Sequence, residues 1–226
     1  MSGKLCILNF HGIGRMHAGV DDGESAYWIT EDQFRDAVSR AARRRDAGYT
    51  VTFTFDDGNL SDLEIAAPIL QDHNFQAAFF VLTGRIGTAH YLDAANMQSL
   101  RSMGMEIGLH GRDHVDWRRL DADGLAAETQ IARQELADCI GAEICKVAIP
   151  FGAYNRRIIA RLTAAGFERI YTSDGGHVAA SARVQSRTSL RADMSGSDID
   201  AILEGRGSIR AAARRKLSTF LRRNVI

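Results

Sequence analysis

The chain has 226 residues, enough for one domain with a large buried core, so folding requires neither disulfides nor a structural metal. Hydrophobic content of 45% and charged content of 25% are those of a soluble globular protein, and no apolar run approaches the eighteen residues that a bilayer crossing needs. Formal net charge is zero, which excludes a chain built throughout as a polyelectrolyte partner for nucleic acid, and Cys6, Cys139 and Cys145 form neither a CxxC pair nor an even disulfide set. These features, with an N-terminal apolar run too short for a signal peptide, place the expectation in the reducing cytoplasm.

Lys4–Phe10 reads as a first strand and ends on His11. Thr30 and Gln33 form a capping-box pattern ahead of a helical stretch over Phe34–Arg45. The second strand, Tyr49–Phe55, runs straight into Asp56-Asp57-Gly58, and Ser61 with Glu64 offers another capping box before Ile65–Gln71. Gln76–Leu82 is the third strand and Glu106–Leu109 the fourth, which ends on His110 with His114 four residues further on. The longest helix, Asp121–Ile140, closes on Gly141. Lys146–Ile149 then leads to Pro150-Phe151-Gly152, and a helix over Asn155–Ala165 closes on Gly166. Arg169–Ser173 and Arg183–Leu190 are the last strands. From Gly205 onward seven basic residues and no acidic ones occur, with Ile209, Ala213, Leu217 and Phe220 at helical spacing. This predicts two parts, a domain over 1–204 and a basic helical tail over 205–226, which would dock on the domain or meet an anionic membrane surface.

Seven strands alternating with helices predict an α/β protein with a parallel sheet, open or closed into a barrel. An open sheet commonly binds ligands at a switch point with a Gly-rich first turn, and neither GxGxxG nor a P-loop occurs. A barrel instead gathers its chemistry just past the C-terminal ends of the strands. His11, Asp56, Asp57, His110, His114 and the Pro150-Phe151-Gly152 turn all stand there. Taken singly, each has an ordinary structural explanation; their common placement has none. Two imidazoles and a carboxylate are a frequent set of zinc ligands with positions left open for water and substrate. Adjacent carboxylates in extended chain point to opposite sides, so one of Asp56 and Asp57 can bind a metal while the other faces the water.

At these residues the sequence resembles the NodB-homology polysaccharide deacetylases, carbohydrate esterase family 4. Thr54-Phe55-Asp56-Asp57-Gly58 is similar to the family motif TFDDG, which implies Asp56 as catalytic base and Asp57 as metal ligand. His110-Gly111-Arg112-Asp113-His114 resembles H-[ST]-x-x-H and implies His110 and His114 as the other ligands. Ile149-Pro150-Phe151-Gly152 resembles the end of R-x-P-Y-G, which implies Pro150, Phe151 and Gly152 lining the substrate groove and the Phe151 amide holding an oxyanion. The resemblance further implies a distorted (β/α)7 barrel and one divalent metal ion, Zn2+ with Co2+, Ni2+ or Fe2+ as alternatives.

Three departures stand out. Gly111 replaces the Ser or Thr that steadies the histidine loop, so a looser loop is expected. Ala148 stands where the motif arginine would orient the base; Arg187, also grouped with the substrate-binding residues, is the candidate substitute. No Leu-x-His follows near the C-terminus, but Leu8-Asn9-Phe10-His11 resembles the N-terminal strand of a circularly permuted branch, which implies His11 as general acid. Trp28, Trp117 and Tyr154 are equally readable as sugar-stacking or as packing residues.

The resulting expectation is a metal-dependent hydrolase that removes an N-acyl group, acetyl first, from an amino-sugar polysaccharide, oligosaccharide or lipid-linked sugar. Its partner would be that N-acylated sugar, with no nucleic acid, and with the basic tail in peripheral contact with anionic membrane at the inner face. The rival expectations are a catalytically weakened carbohydrate-binding protein and a deformylase or other C–N hydrolase of a membrane-linked precursor.

Overall fold

The computed structural model describes residues 4–20 and 23–206. Six parallel strands follow one another around the molecule: β1 (Lys4–Phe10), β2 (Thr50–Phe55), β3 (Ala77–Val81), β4 (Glu106–Leu109), β5 (Lys146–Ala148) and β6 (Arg169–Thr172). A short β7 (Val178–Ala179) runs antiparallel to the start of β1. β8 (Val184–Ser186) pairs with β6, and after a single residue, Arg187, β9 (Thr188–Ser189) pairs with β1. The stretch 184–189 is thus one bent stave that leaves β6 and returns to β1, and it closes the sheet into a seven-stave barrel. The last predicted strand, Arg183–Leu190, is corrected to these two short pieces, because Arg187 sits at the bend where pairing passes from one neighbour to the other.

Alternate residues of the staves fill the barrel interior. Ile7, Ala78, Phe80, Ala148 and Tyr171 form a small apolar plug there, while the opposite faces pack a much larger core under the helices. Space inside is tight: a side chain at Gly108 would meet the Phe80 ring at 2.5 Å. Above the plug the inward residues turn polar, with Asn9, Thr54, Asp56, His110 and Arg187 all buried.

The outer layer comprises α1 (Glu31–Asp46), α2 (Ala67–Asp72), α3 (Ala94–Ser102), α4 (Ala122–Ala126), α5 (Ala132–Ile140), α6 (Arg156–Ala164) and α7 (Gly196–Leu203). Thr30 and Gln33 make the expected reciprocal capping bonds, and Gly141 takes the left-handed conformation that ends α5. The box at Ser61 does not form. Ser61 is itself helical and its hydroxyl accepts instead from the Ile13 amide at 3.3 Å, so the helix begins as a π turn over Asp62–Ala66. A second π turn, Ala127–Ile131, splits the predicted 121–140 helix between α4 and α5. Among the described residues no helix is long and apolar enough to cross a membrane. The predicted basic tail lies outside the described residues apart from Gly205 and Arg206.

Candidate active site

The site is built on the C-terminal ends of the staves, and its lowest layer is a buried charge pair. Arg187 is fully buried, its guanidinium carbon 5.4 Å from the Phe80 ring centroid and 5.8 Å from that of Tyr171. From this aromatic floor it donates two parallel hydrogen bonds to Asp56, Nη1 to Oδ1 at 2.7 Å and Nη2 to Oδ2 at 2.8 Å. Burial works to raise the Asp56 pKa, but the charges of Arg187, His110 and His11 outweigh it and hold the carboxyl well below the usual range. Arg187 therefore stands behind Asp56 rather than in the groove, which corrects its grouping with the substrate-binding residues. Ala148 is part of the apolar plug, so the arginine comes from the closing stave and not from β5.

Asn9 completes this layer, and no motif announced it. Its Nδ2 donates to Asp56 Oδ2 at 3.0 Å and Ser189 Oγ at 3.2 Å; its Oδ1 accepts from Arg187 at 2.8 Å and Thr54 Oγ1 at 2.7 Å. Because arginine only donates and a carboxylate only accepts, the amide has one consistent orientation.

One step outward lie Asp57, His110 and His114, with one ligand atom of each within 4.8 Å of the others. Nε2 of His110 is 3.5 Å from Asp57 Oδ1, and Nε2 of His114 is 3.7 Å from the same oxygen. Nδ1 of His110 faces the Ala148 carbonyl at 3.0 Å, which places the ring proton there and turns the Nε2 lone pair toward Asp57. Burial lowers the His110 pKa, and the Asp56 and Asp57 carboxylates only partly offset it, so the ring is neutral at physiological pH. Both Asp57 oxygens are buried without a hydrogen-bond partner. A lone pair facing an unsatisfied carboxylate is repulsive unless a cation lies between them, so the donor set fits a metal ion.

His114 is held differently. Its Nδ1 lies 3.1 Å from Oε1 of Glu24, a residue of the loop between β1 and α1. Burial lowers the His114 pKa, but Glu24 and Asp57 raise it by more. Three of the five non-glycine residues with positive φ are Asp57 at 78°, His114 at 53° and Phe151 at 57°. Backbone strain among the described residues thus concentrates at this site.

The loop after His110 is not loose. Glu128, from the second π turn, accepts from the amides of Arg112 at 2.9 Å and Asp113 at 3.1 Å and from Trp117 Nε1 at 3.2 Å. Gly111, at φ 97°, leaves room for that carboxylate, since a Cβ there would lie 2.6 Å from Glu128 Oε2. The expectation of a looser loop is therefore corrected: a carboxylate braces it from outside the motif.

His11 ends β1 half-buried, its ring 4.9 Å from that of Tyr27 and its Nδ1 without a hydrogen-bond partner. Pro150, Phe151 and Gly152 form a single turn in which Pro150 and Gly152 are buried and the Phe151 ring is 63% exposed. That ring lies 4.3 Å from His114 and forms a lip beside the Asp57–His110–His114 cluster, whereas its two neighbours shape the backbone. Trp117 and Tyr154 are buried in the core and Trp28 packs on Gly12, so all three are packing residues.

A seven-stave α/β barrel with an aspartate pair and two histidines at its strand ends defines a hydrolase class. The profile of the polysaccharide deacetylase family matches residues 43–170, more than half of the chain, and the protein belongs to that family, whose members hydrolyse carbon–nitrogen bonds. YxkH of Bacillus subtilis (strain 168), by its name a candidate polysaccharide deacetylase, is 24% identical over 216 residues, covering 89% of this chain and 76% of YxkH. Two solved structures share the fold. The Streptococcus pyogenes deacetylase PplD, in complex with acetate, superposes with a TM-score of 0.76 at 21% identity, covering 90% of this chain and 99% of PplD. IcaB from Ammonifex degensii gives 0.72 at 18% identity, with 89% and 97% covered.

Proposed function

We propose that the protein is a metal-dependent N-deacetylase of an amino-sugar glycan, with Asp57, His110 and His114 as metal ligands, Asp56 as base and His11 as general acid. The observation that carries this reading is the buried Asp57 carboxylate, unpartnered and faced by two imidazole nitrogens. Two nitrogen donors and one carboxylate suit Zn2+, with Co2+, Ni2+ or Fe2+ as alternatives. A divalent ion held there supplies Lewis-acid polarisation of the acyl carbonyl and makes water acidic near neutral pH.

The chain's own groups do the rest. Asp56, kept ionised by Arg187, accepts the proton of the attacking water at Oδ1 or Oδ2. The Phe151 amide, in its strained turn, is placed as a donor to the developing oxyanion. His11, at the end of β1, gives a proton to the departing amine. Its place just after the N-terminal stave agrees with the resemblance of Leu8-Asn9-Phe10-His11 to the permuted branch, and its unpartnered ring nitrogen supports the role. The exposed Phe151 ring offers an apolar face to a sugar ring beside the reacting group.

Acetate release from N-acetylated glucosamine oligomers tests this scheme. His11→Ala should keep metal and lose about 10²–10⁴-fold in kcat, the usual contribution of a general acid. Full turnover by His11→Ala would remove it from the mechanism.

A further inference from the structure

The two candidate metal-ligating histidines are fixed by unlike devices. The Nδ1 of His110 is held by a backbone carbonyl at the end of β5, part of the rigid barrel. The Nδ1 of His114 is faced by a side chain, Glu24, whose carboxylate is 12% exposed and 3.1 Å away. Glu24 belongs to no motif and comes from the β1–α1 loop, which is pinned at its base. There Gly14 donates to the Ile29 carbonyl at 2.9 Å, Ile29 to Gly12 at 3.0 Å, and the Trp28 indole to Gly14 at 3.0 Å. Glu24 heads a short 3-10 turn, Ser25–Tyr27, and the same turn presents Tyr27 to the ring of His11.

Charge counting points the same way. Asp56 is matched by Arg187. Asp57 and Glu24 are the carboxylates that face the two imidazoles, an arrangement of charge that a divalent cation would balance.

Resting on the metal-site reading above, we propose that Glu24 is a positioning residue of the metal centre, which orients His114 through Nδ1 and ties metal binding to the seating of the β1–α1 loop. The consequence is directional: metal binding holds the loop down, and the turn that carries Glu24 then keeps Tyr27 against His11. A carboxylate behind a ligating histidine raises the basicity of the ring and fixes its tautomer, and removing such a partner commonly weakens metal affinity by about 10–100-fold.

The test is a Zn2+ titration of chelator-stripped full-length protein against a competing chromophoric chelator, in wild type, Glu24→Ala and Glu24→Gln. Glu24→Ala should bind Zn2+ about 10–100-fold more weakly, with Glu24→Gln between it and wild type because an amide oxygen can still accept from Nδ1. The visible spectrum of the Co2+-loaded protein should shift in Glu24→Ala, a readout that a purely structural role would leave unmoved. If wild type binds Zn2+ tightly and both variants bind it equally well, with only the metal-free melting temperature lowered, the role of Glu24 is overturned while the metal site stands. If wild type binds no Zn2+, Co2+, Ni2+ or Fe2+, the metal-site reading itself fails.

Discussion

Asp56 is ionised in a place where an isolated carboxylate would be protonated, and the forked contact with Arg187 accounts for it. Arg187→Ala would leave that carboxylate buried without its cation. The expected result is a loss of about 3–5 kcal/mol in urea unfolding together with a fall in turnover, since the base is no longer both oriented and charged. Arg187→Lys should recover part of the stability and little of the orientation, because one ammonium cannot form the parallel pair. Asp62 shows the opposite effect: it is fully buried with neither oxygen hydrogen-bonded, and burial beside Asp57 and Asp56 raises its pKa. A carboxyl with a raised folded-state pKa binds its proton more tightly in the native state. Its contribution is therefore complete below the unfolded value of about 3.9 and is lost as pH rises toward the folded value. In metal-free protein, Asp62→Asn should raise the melting temperature at pH 7–8 more than at pH 4; an equal effect at both would contradict the assignment.

Among single residues, Asp56, Asp57, His110 and His114 stand out in the sequence because their spacing is set by chemistry at strand ends. Arg187 was reachable only as the arginine needed once Ala148 was seen in its place. Asn9, Glu24 and Glu128 were not legible, since each is one polar residue whose partners lie far away in sequence and no periodicity marks it.

At the scale of elements, local signals succeed where local interactions decide. Thr30 and Gln33 are three residues apart and satisfy each other, so their box forms as written. Ser61 is drawn off by the Ile13 amide from the loop after β1, a competition that the sequence around Ser61 does not reveal. The π turn at Ala127–Ile131 interrupts a stretch that reads as one continuous helix, and it carries Glu128 to the His110–His114 loop. π turns are frequent at functional sites for this reason, since one extra residue re-aims a side chain. Glu128→Ala would strip a buried carboxylate from two amides and an indole. It should cost about 3 kcal/mol or more, at about 1.5–3 kcal/mol per hydrogen bond to a charged group with partial replacement by water. Metal affinity should weaken as well. Unchanged urea midpoint and unchanged Zn2+ binding in that variant would refute the bracing role.

Across the whole molecule, the alternation of apolar runs shows the seven strand–helix steps and leaves the sheet open or closed; the closed (β/α)7 barrel is implied by the family resemblance and is what the structure has. Closure depends on one stave bending at Arg187 to change partners from β6 to β1, a long-range event with only a two-residue pairing at its far end. The same bend delivers Arg187 to Asp56, so barrel closure and the buried Arg187–Asp56 pair depend on one turn of the chain. A bound metal should add to this stability by mass action, about 2.7 kcal/mol when free metal is a hundredfold above its Kd. For a domain of this size that corresponds to a rise in melting temperature of roughly 5–10 °C over the chelated protein.

The most direct measurement of the central claim is acetate release from an N-acetylated amino-sugar oligomer by chelated protein, before and after titration with Zn2+, beside Asp57→Ala treated identically. The account predicts no turnover in the chelated wild type, recovery saturating near one Zn2+ per chain, and no recovery in Asp57→Ala. Full turnover by chelated protein, or by Asp57→Ala without metal, would contradict it.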